Sequence, residues 1–113
     1  MVLGAGFAGL TFCRKFPAGK AHITVVDRQN HHLFQPLLYQ VATAGLSAID
    51  IAQPIRAILR NKPEMEVLMG EVEDFDLAAR KVRLNHGEIP YDYLVLALGG
   101  IPSYFGNDAW AAH

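Results

Sequence analysis

Three glycines, spaced as Gly4-x-Gly6-x-x-Gly9 near the start of the chain, restrict its fold more than any other feature. The spacing gains meaning from what flanks it. The apolar "MVL" precedes it, and in "FAGLTFCRKF" Leu10, Phe12, Cys13 and Phe16 fall at spacings compatible with one helical face, closed by Pro17 and Gly19. The β-branched run "HITVVD" then reads as a buried strand that ends at Asp27, eighteen positions beyond Gly9. Strand, glycine turn, helix and strand within about thirty residues form the βαβ unit of a parallel sheet. Alone, such a glycine triplet is a weak signal; strand before, helix after and an acid closing the next strand make it that of a dinucleotide site. Gly4 supplies the tight turn, Gly6 lets backbone approach a pyrophosphate, and Gly9 lets helix and strand pack closely. The helix N-terminus offers N–H groups and a partial positive charge to the phosphates. Asp27 accepts hydrogen bonds from ribose hydroxyls on this reading; on the plainer one it caps a turn. An acid there disfavours a 2′-phosphate, so FAD or NAD fits better than NADP.

The following stretch, "RQNHHLFQPLLYQVATAGLSAID", reads as a long connection, too apolar for a disordered linker. Ser47 and Asp50 introduce "IAQPIRAILR", whose Ile51, Ile55, Ile58 and Leu59 predict an amphipathic helix over residues 50–61, with Pro54 tolerated only in the first turn. The period then changes to that of strands: "EVLMGEVEDF", "KVRL" and "YDYLVLAL", separated by the turn signals "LAAR" and "NHGE". Val82 and Leu84 alternate with Lys81 and Arg83, as in a half-solvated antiparallel strand, whereas "YLVLAL" is apolar throughout, as a central parallel strand would be.

Composition narrows the function classes. With 113 residues, 51% hydrophobic and 19% charged, the chain is globular and the size of one domain or part of one. A formal charge of −1 gives no basic stripe for a nucleic-acid partner. Cys13 is the single cysteine, so an internal disulfide framework, a CxxC knuckle and a dithiol redox pair are excluded within these residues. No apolar run approaches the ~20 residues of a membrane helix. His31 and His32 are adjacent on an extended segment, point to opposite sides and have no third ligand at a convincing spacing, so no metal site is expected. Phe34, Tyr39, Tyr91 and Tyr93 read mostly as core, and Cys13 as a buried, inert thiol.

In "GAGFAGL", "VVDRQNHHLFQPLLYQVATAGLS" and "YDYLVLALG" the chain resembles the N-terminal FAD-binding part of the type II NADH dehydrogenases, single-subunit NADH:quinone oxidoreductases of a two-dinucleotide-binding flavoprotein superfamily. The resemblance covers nearly the whole chain. It implies an α/β, Rossmann-like FAD-binding domain over residues 1–113, with a parallel sheet and a small antiparallel β-meander, incomplete, its NADH-binding and C-terminal regions absent. It implies that Gly4, Gly6, Phe7, Ala8 and Gly9 line the FAD pyrophosphate. Asp27 and Arg28 would sit at the adenosine ribose, and Val72 would meet the adenine through its backbone. Gln40 to Gly45, Thr43 included, would lie toward the isoalloxazine, with Ala97 and Gly99 also at the cofactor. The family's usual Ala-Thr-Gly is here Ala97-Leu98-Gly99, which removes a hydroxyl from the flavin's neighbourhood.

Disulfide reductases of that superfamily carry a CxxxxC pair soon after the second strand, and this chain has none. Electrons would leave the flavin directly, from NADH through FAD to a quinone. No catalytic acid or base is expected in this segment. The resemblance further implies a cytoplasmic protein at the cytoplasmic face of the inner membrane, peripherally attached through the C-terminal region. Two rival readings stand: a related flavin reductase such as a sulfide:quinone oxidoreductase, and a flavin-free, non-catalytic module that forms a homodimer through an open sheet edge.

Overall fold

The computed structural model describes residues 1–47 and 51–100. The chain runs β1 (Val2–Leu3), α1 (Phe7–Lys15), β2 (Ile23–Asp27), β3 (His31–Leu33), a 3-10 turn over Gln35–Leu37 and α2 (Leu38–Ala42). It continues through β4 (Ala52–Pro54), α3 (Ile55–Ile58), β5 (Met65–Met69), β6 (Val72–Asp76), β7 (Lys81–Leu84), β8 (Gly87–Pro90) and β9 (Val95–Leu96). The fold is α/β: a four-stranded sheet ordered β5-β2-β1-β9 is parallel throughout, and β6-β7-β8 form an antiparallel meander. β3 and β4 pair as a separate antiparallel ribbon.

Strand geometry sends successive side chains to opposite faces, and here both faces are covered. Val2 and Val25 join Leu10, Cys13, Ile23, Ile55 and Leu59 in one buried cluster, which packs the sheet against α1 and α3. Their neighbours Leu3 and Val26 join Val82 and Leu84 in a second cluster, which packs the other face against the meander. The consecutive Val25 and Val26 of "HITVVD" are therefore both buried, whereas β7 has one wet face and buries only Val82 and Leu84. Helix α1 stops at Phe16, whose φ and ψ are extended. Lys62, from the loop after α3, donates its Nζ to the Phe16 carbonyl at 2.8 Å, and Arg14 and Lys15 complete a basic last turn.

Four expectations are corrected. "EVLMGEVEDF" is two strands: Met65–Met69 extends the parallel sheet beside β2, and only after Gly70 does the chain enter the meander at Val72. Both sides of the break read as strand, so pattern alone could not show that they belong to different sheets. The helix expected over 50–61 is reduced to Ile55–Ile58, because Ala52–Pro54 pair with β3 and Pro54 ends as the helix N-cap; Asp50 lies outside the described residues. Ile51, Ile55 and Leu59 are nonetheless buried. β9 lies at the edge of the described sheet, not its centre, and leaves Leu96 62% exposed. Of the four aromatics assigned mostly to core, Phe34, Tyr39 and Tyr93 are exposed, Tyr93 at 86%, because Phe34 and Tyr93 sit on connections and Tyr39 on the short α2, all outside both clusters; Tyr91 packs on the second cluster.

Burial pushes the Cys13 thiol pKa up. An unfolded thiol ionises first as pH rises, so stability is full below the ordinary thiol pKa and declines above it. Cys13 should resist alkylation at neutral pH until denaturant unfolds the chain; labelling of the folded protein at the rate of a free thiol would contradict the packing. Ile55→Ala should cost about 2–5 kcal/mol in urea unfolding, against less than about 0.5 kcal/mol for exposed Leu77→Ala. Equal midpoints for the two variants would show that α3 is not part of the core.

Candidate functional site

β1 delivers the chain into Gly4, whose φ of +96° is a conformation that L side chains rarely adopt. Its N–H donates to the Val26 carbonyl at 2.7 Å, and a Cβ there would overlap the Ala97 carbonyl. Gly9 is packed beneath this turn: a Cβ on it would run into the Gly4 carbonyl oxygen. Gly6 differs, since a Cβ there would meet nothing within 4 Å. Its missing side chain leaves open space in front of the backbone at the N-cap of α1. No side chain caps that helix end and no acid stands in its first turn. Its leading N–H groups therefore have neither an intrahelical acceptor nor a neutralising carboxylate on the helix itself.

Asp27, at the end of β2, holds this turn in place. One carboxylate oxygen accepts the Ala5 N–H at 2.6 Å and the other the Gln29 N–H at 2.7 Å. Each oxygen has a further lone pair for another donor. On the opposite side, His32 of β3 places Nδ1 3.2 Å from the Ala5 carbonyl, and its ring meets Phe7 edge-on at 5.2 Å. Phe7 in turn packs edge-on against Phe34 at 5.5 Å. The glycine turn is thus gripped from β2 and from β3.

These elements enclose a cleft of about 740 Å³ across the C-terminal ends of β1, β2 and β9. Gly4, Gly6, Phe7, Ala8, Asp27, Arg28, Ala97 and Gly99 line it, eight of the residues singled out in the sequence. Three others do not. Gly9 acts from below by allowing the turn to close. Val72 opens the meander and packs on the second core cluster. Thr43 ends α2, with its hydroxyl donating to the carbonyls of Tyr39 and Gln40. The lining also includes residues that sequence reasoning missed or dismissed as ligands: Ala5, Gln29, His31, His32, Leu33, Leu96, Leu98 and Gly100. The alternation of the His31-His32 pair on β3 was the available signal, because it turns His32 toward the glycine turn. Among the described residues no three His, Cys, Asp or Glu side chains come together as a metal site.

Residues 1–110 match the model of a family described as pyridine nucleotide-disulphide oxidoreductase. The chain belongs to that family. It is 44% identical over 115 residues to the type II NADH:quinone oxidoreductase Ndh of Mycobacterium tuberculosis, covering 98% of this chain and 25% of that protein. It is 31% identical over 117 residues to a type II NADH:quinone oxidoreductase of Staphylococcus aureus, covering all of this chain and 29% of that protein. Among solved structures, NDH2 from Plasmodium falciparum in complex with NADH superposes with a TM-score of 0.84 at 25% identity, over 93% of this chain and 23% of that one. The sulfide:quinone oxidoreductase of Aquifex aeolicus superposes with a TM-score of 0.82 at 24% identity over 95% of this chain and 25% of that one, a likeness of fold alone. The chain spans about a quarter of the length of these relatives. In this family member the glycine motif and Asp27 face one cleft.

The three motif glycines should separate by experiment. Gly9→Ala should destabilise the protein by about 1–3 kcal/mol, since a methyl must displace backbone. Gly6→Ala should leave thermal stability within about 0.5 kcal/mol of the parent. A Gly6→Ala loss as large as that of Gly9→Ala would show that Gly6 is structural and does not face open space.

Proposed function

We propose that this chain is the FAD-binding portion of a flavin-dependent NADH:quinone oxidoreductase. The observation that carries the reading is the empty volume in front of Gly6, at an uncapped helix N-terminus and in the same cleft as Asp27. The residues fit the cofactor. The α1 N-terminus and the open backbone at Gly6 receive the pyrophosphate, and the free lone pairs of Asp27 receive the adenosine ribose hydroxyls. Arg28, lining the same end, supplies a positive charge beside the carboxylate. Ala97 to Gly100 form the wall toward which the flavin half extends, with Gly99 at φ +72° turning the chain along it.

Bound FAD supplies the redox chemistry, accepting hydride from NADH and passing the electrons to a quinone. This chain's residues bind, orient and partly shield the cofactor, and none is assigned an acid–base role. Cys13, the single cysteine, is buried in the core, so no thiol relay stands between flavin and acceptor within these residues. In this reading NADH binding, the quinone site and any peripheral membrane contact belong to the remaining three-quarters of a protein the length of the relatives. The enzyme works in the cytoplasm, at the inner face of the membrane.

A visible absorption spectrum of the purified chain, followed by titration with FAD, tests the proposal. Flavin bands, saturable binding, and a loss of affinity of about tenfold or more in Asp27→Ala and in Gly6→Ala support it. A colourless protein that ignores added FAD and runs as a dimer would replace it with the non-catalytic module.

A further inference from the structure

The tip of the β7–β8 hairpin reaches the strand link that ends beside Asp27. Asn85 and Glu71 exchange two hydrogen bonds: the Asn85 N–H donates to the Glu71 carbonyl at 3.0 Å, and the Glu71 N–H donates to the Asn85 side-chain oxygen at 3.1 Å. His86 places Nε2 2.9 Å from the Met69 carbonyl. A carbonyl oxygen only accepts, so Nε2 carries the hydrogen. The imidazole covers Gly70 closely enough that a Cβ there would lie 2.8 Å from Nε2.

The other side of this link is bound to the cofactor cleft. The Gly70 N–H donates to the Asp27 carbonyl at 2.9 Å, and Met69 is the register partner of Asp27 across β5 and β2. One residue thus has its backbone held by Gly70 and its carboxylate holding the glycine turn through Ala5. Turn geometry does not require a histidine at position 86. A tight hairpin asks for Asn, Asp or Gly, and Gly87, at φ +144°, already meets the backbone demand. The side chain at 86 is explained by its bond to Met69.

We propose that His86, with Asn85 beside it, is a positioning residue for the adenosine half of the bound dinucleotide, acting through Met69 and Gly70 on Asp27. His86 itself does not line the cleft. The inference rests on the FAD reading above and adds a contribution from the β7–β8 hairpin. Removing the imidazole frees the Met69 carbonyl and uncovers Gly70, so the Asp27 end of the cleft loses its outer support.

Calorimetric titration of the parent, His86→Ala and His86→Gln with FAD and with ADP, well below the melting temperature, tests the assignment. A glutamine amide places a donor where Nε2 stands. His86→Ala should weaken FAD and ADP by the same factor, roughly two- to tenfold, and His86→Gln should restore both. Unchanged affinities in His86→Ala overturn the proposal, as does weakening of FAD without ADP, or failure of glutamine to rescue. A parent protein that binds neither ligand overturns the FAD reading itself, and this inference with it. A melting temperature lowered in His86→Ala with both affinities intact assigns the residue to stability alone and also overturns it.

Discussion

The hydrogen bond of 2.6 Å from the Ala5 N–H to the Asp27 carboxylate is the contact on which the geometry of the cleft depends. β1 is two residues long and cannot by itself fix the direction of the turn that follows it. A carboxylate acceptor makes a stronger bond to a backbone amide than a neutral group does. Set at the end of β2, which is locked in register with both β1 and β5, it transfers the rigidity of the sheet to the glycine turn. The orientation of α1 follows, and with it the direction in which its N-terminal N–H groups point. Capping a turn and meeting a ribose looked like competing roles for Asp27 in the sequence. In the structure the first role uses one lone pair on each oxygen and leaves the geometry for the second.

Much of the fold was legible because local pattern and global burial agree. In "HITVVD" the adjacent Val25 and Val26 are both buried because the sheet has a helical layer on one side and the meander on the other, and Val82 and Leu84 alternate because β7 has only one covered face. Where the reading failed, the deciding partner was distant in sequence. β4 is a strand only because β3 is beside it, and a short helix with a proline at its start gave no local sign of that pairing. The break between β5 and β6 is set by Gly70, whose hydrogen is needed where a Cβ would strike the His86 ring. That ring arrives from sixteen residues later, so no window around Gly70 contains the reason for it.

The site divides in the same way. Gly4, Gly6, Gly9 and Asp27 were legible because the dinucleotide motif sets them at fixed spacing; the structure gives Gly4 and Gly9 separate steric reasons and leaves open space at Gly6. Arg28, Ala97 and Gly99 came from the resemblance alone, and they line the cleft. Val72, expected through its backbone, and Thr43 came the same way and are not among the lining residues; the Val72 side chain packs on the second core and the Thr43 hydroxyl bonds at the C-cap of α2. His32 escaped because its role is a contact with the Ala5 carbonyl and the Phe7 ring, made possible only by the β3 ribbon folding back over the turn.

Charge in the cleft explains why the proposed reading assigns binding to backbone rather than to side chains. Asp27 and Arg28 line the same end with opposite formal charges, and the carboxylate is already engaged by two N–H groups. Their fields largely cancel at a distance, so the cleft has no strong long-range attraction for anions. What remains is short-ranged and directional: the amides of the first turn of α1, reached only because Gly6 has no side chain. Lys62, Arg14 and Lys15 stabilise the far end of the same helix dipole, while the near end has no side-chain cap and no acid in its own first turn. On the proposed FAD reading, a diphosphate is recognised by where its oxygens fall against fixed N–H groups. That recognition needs every link that fixes those groups, from Gly4 beneath Ala97 to Asp27 behind Ala5.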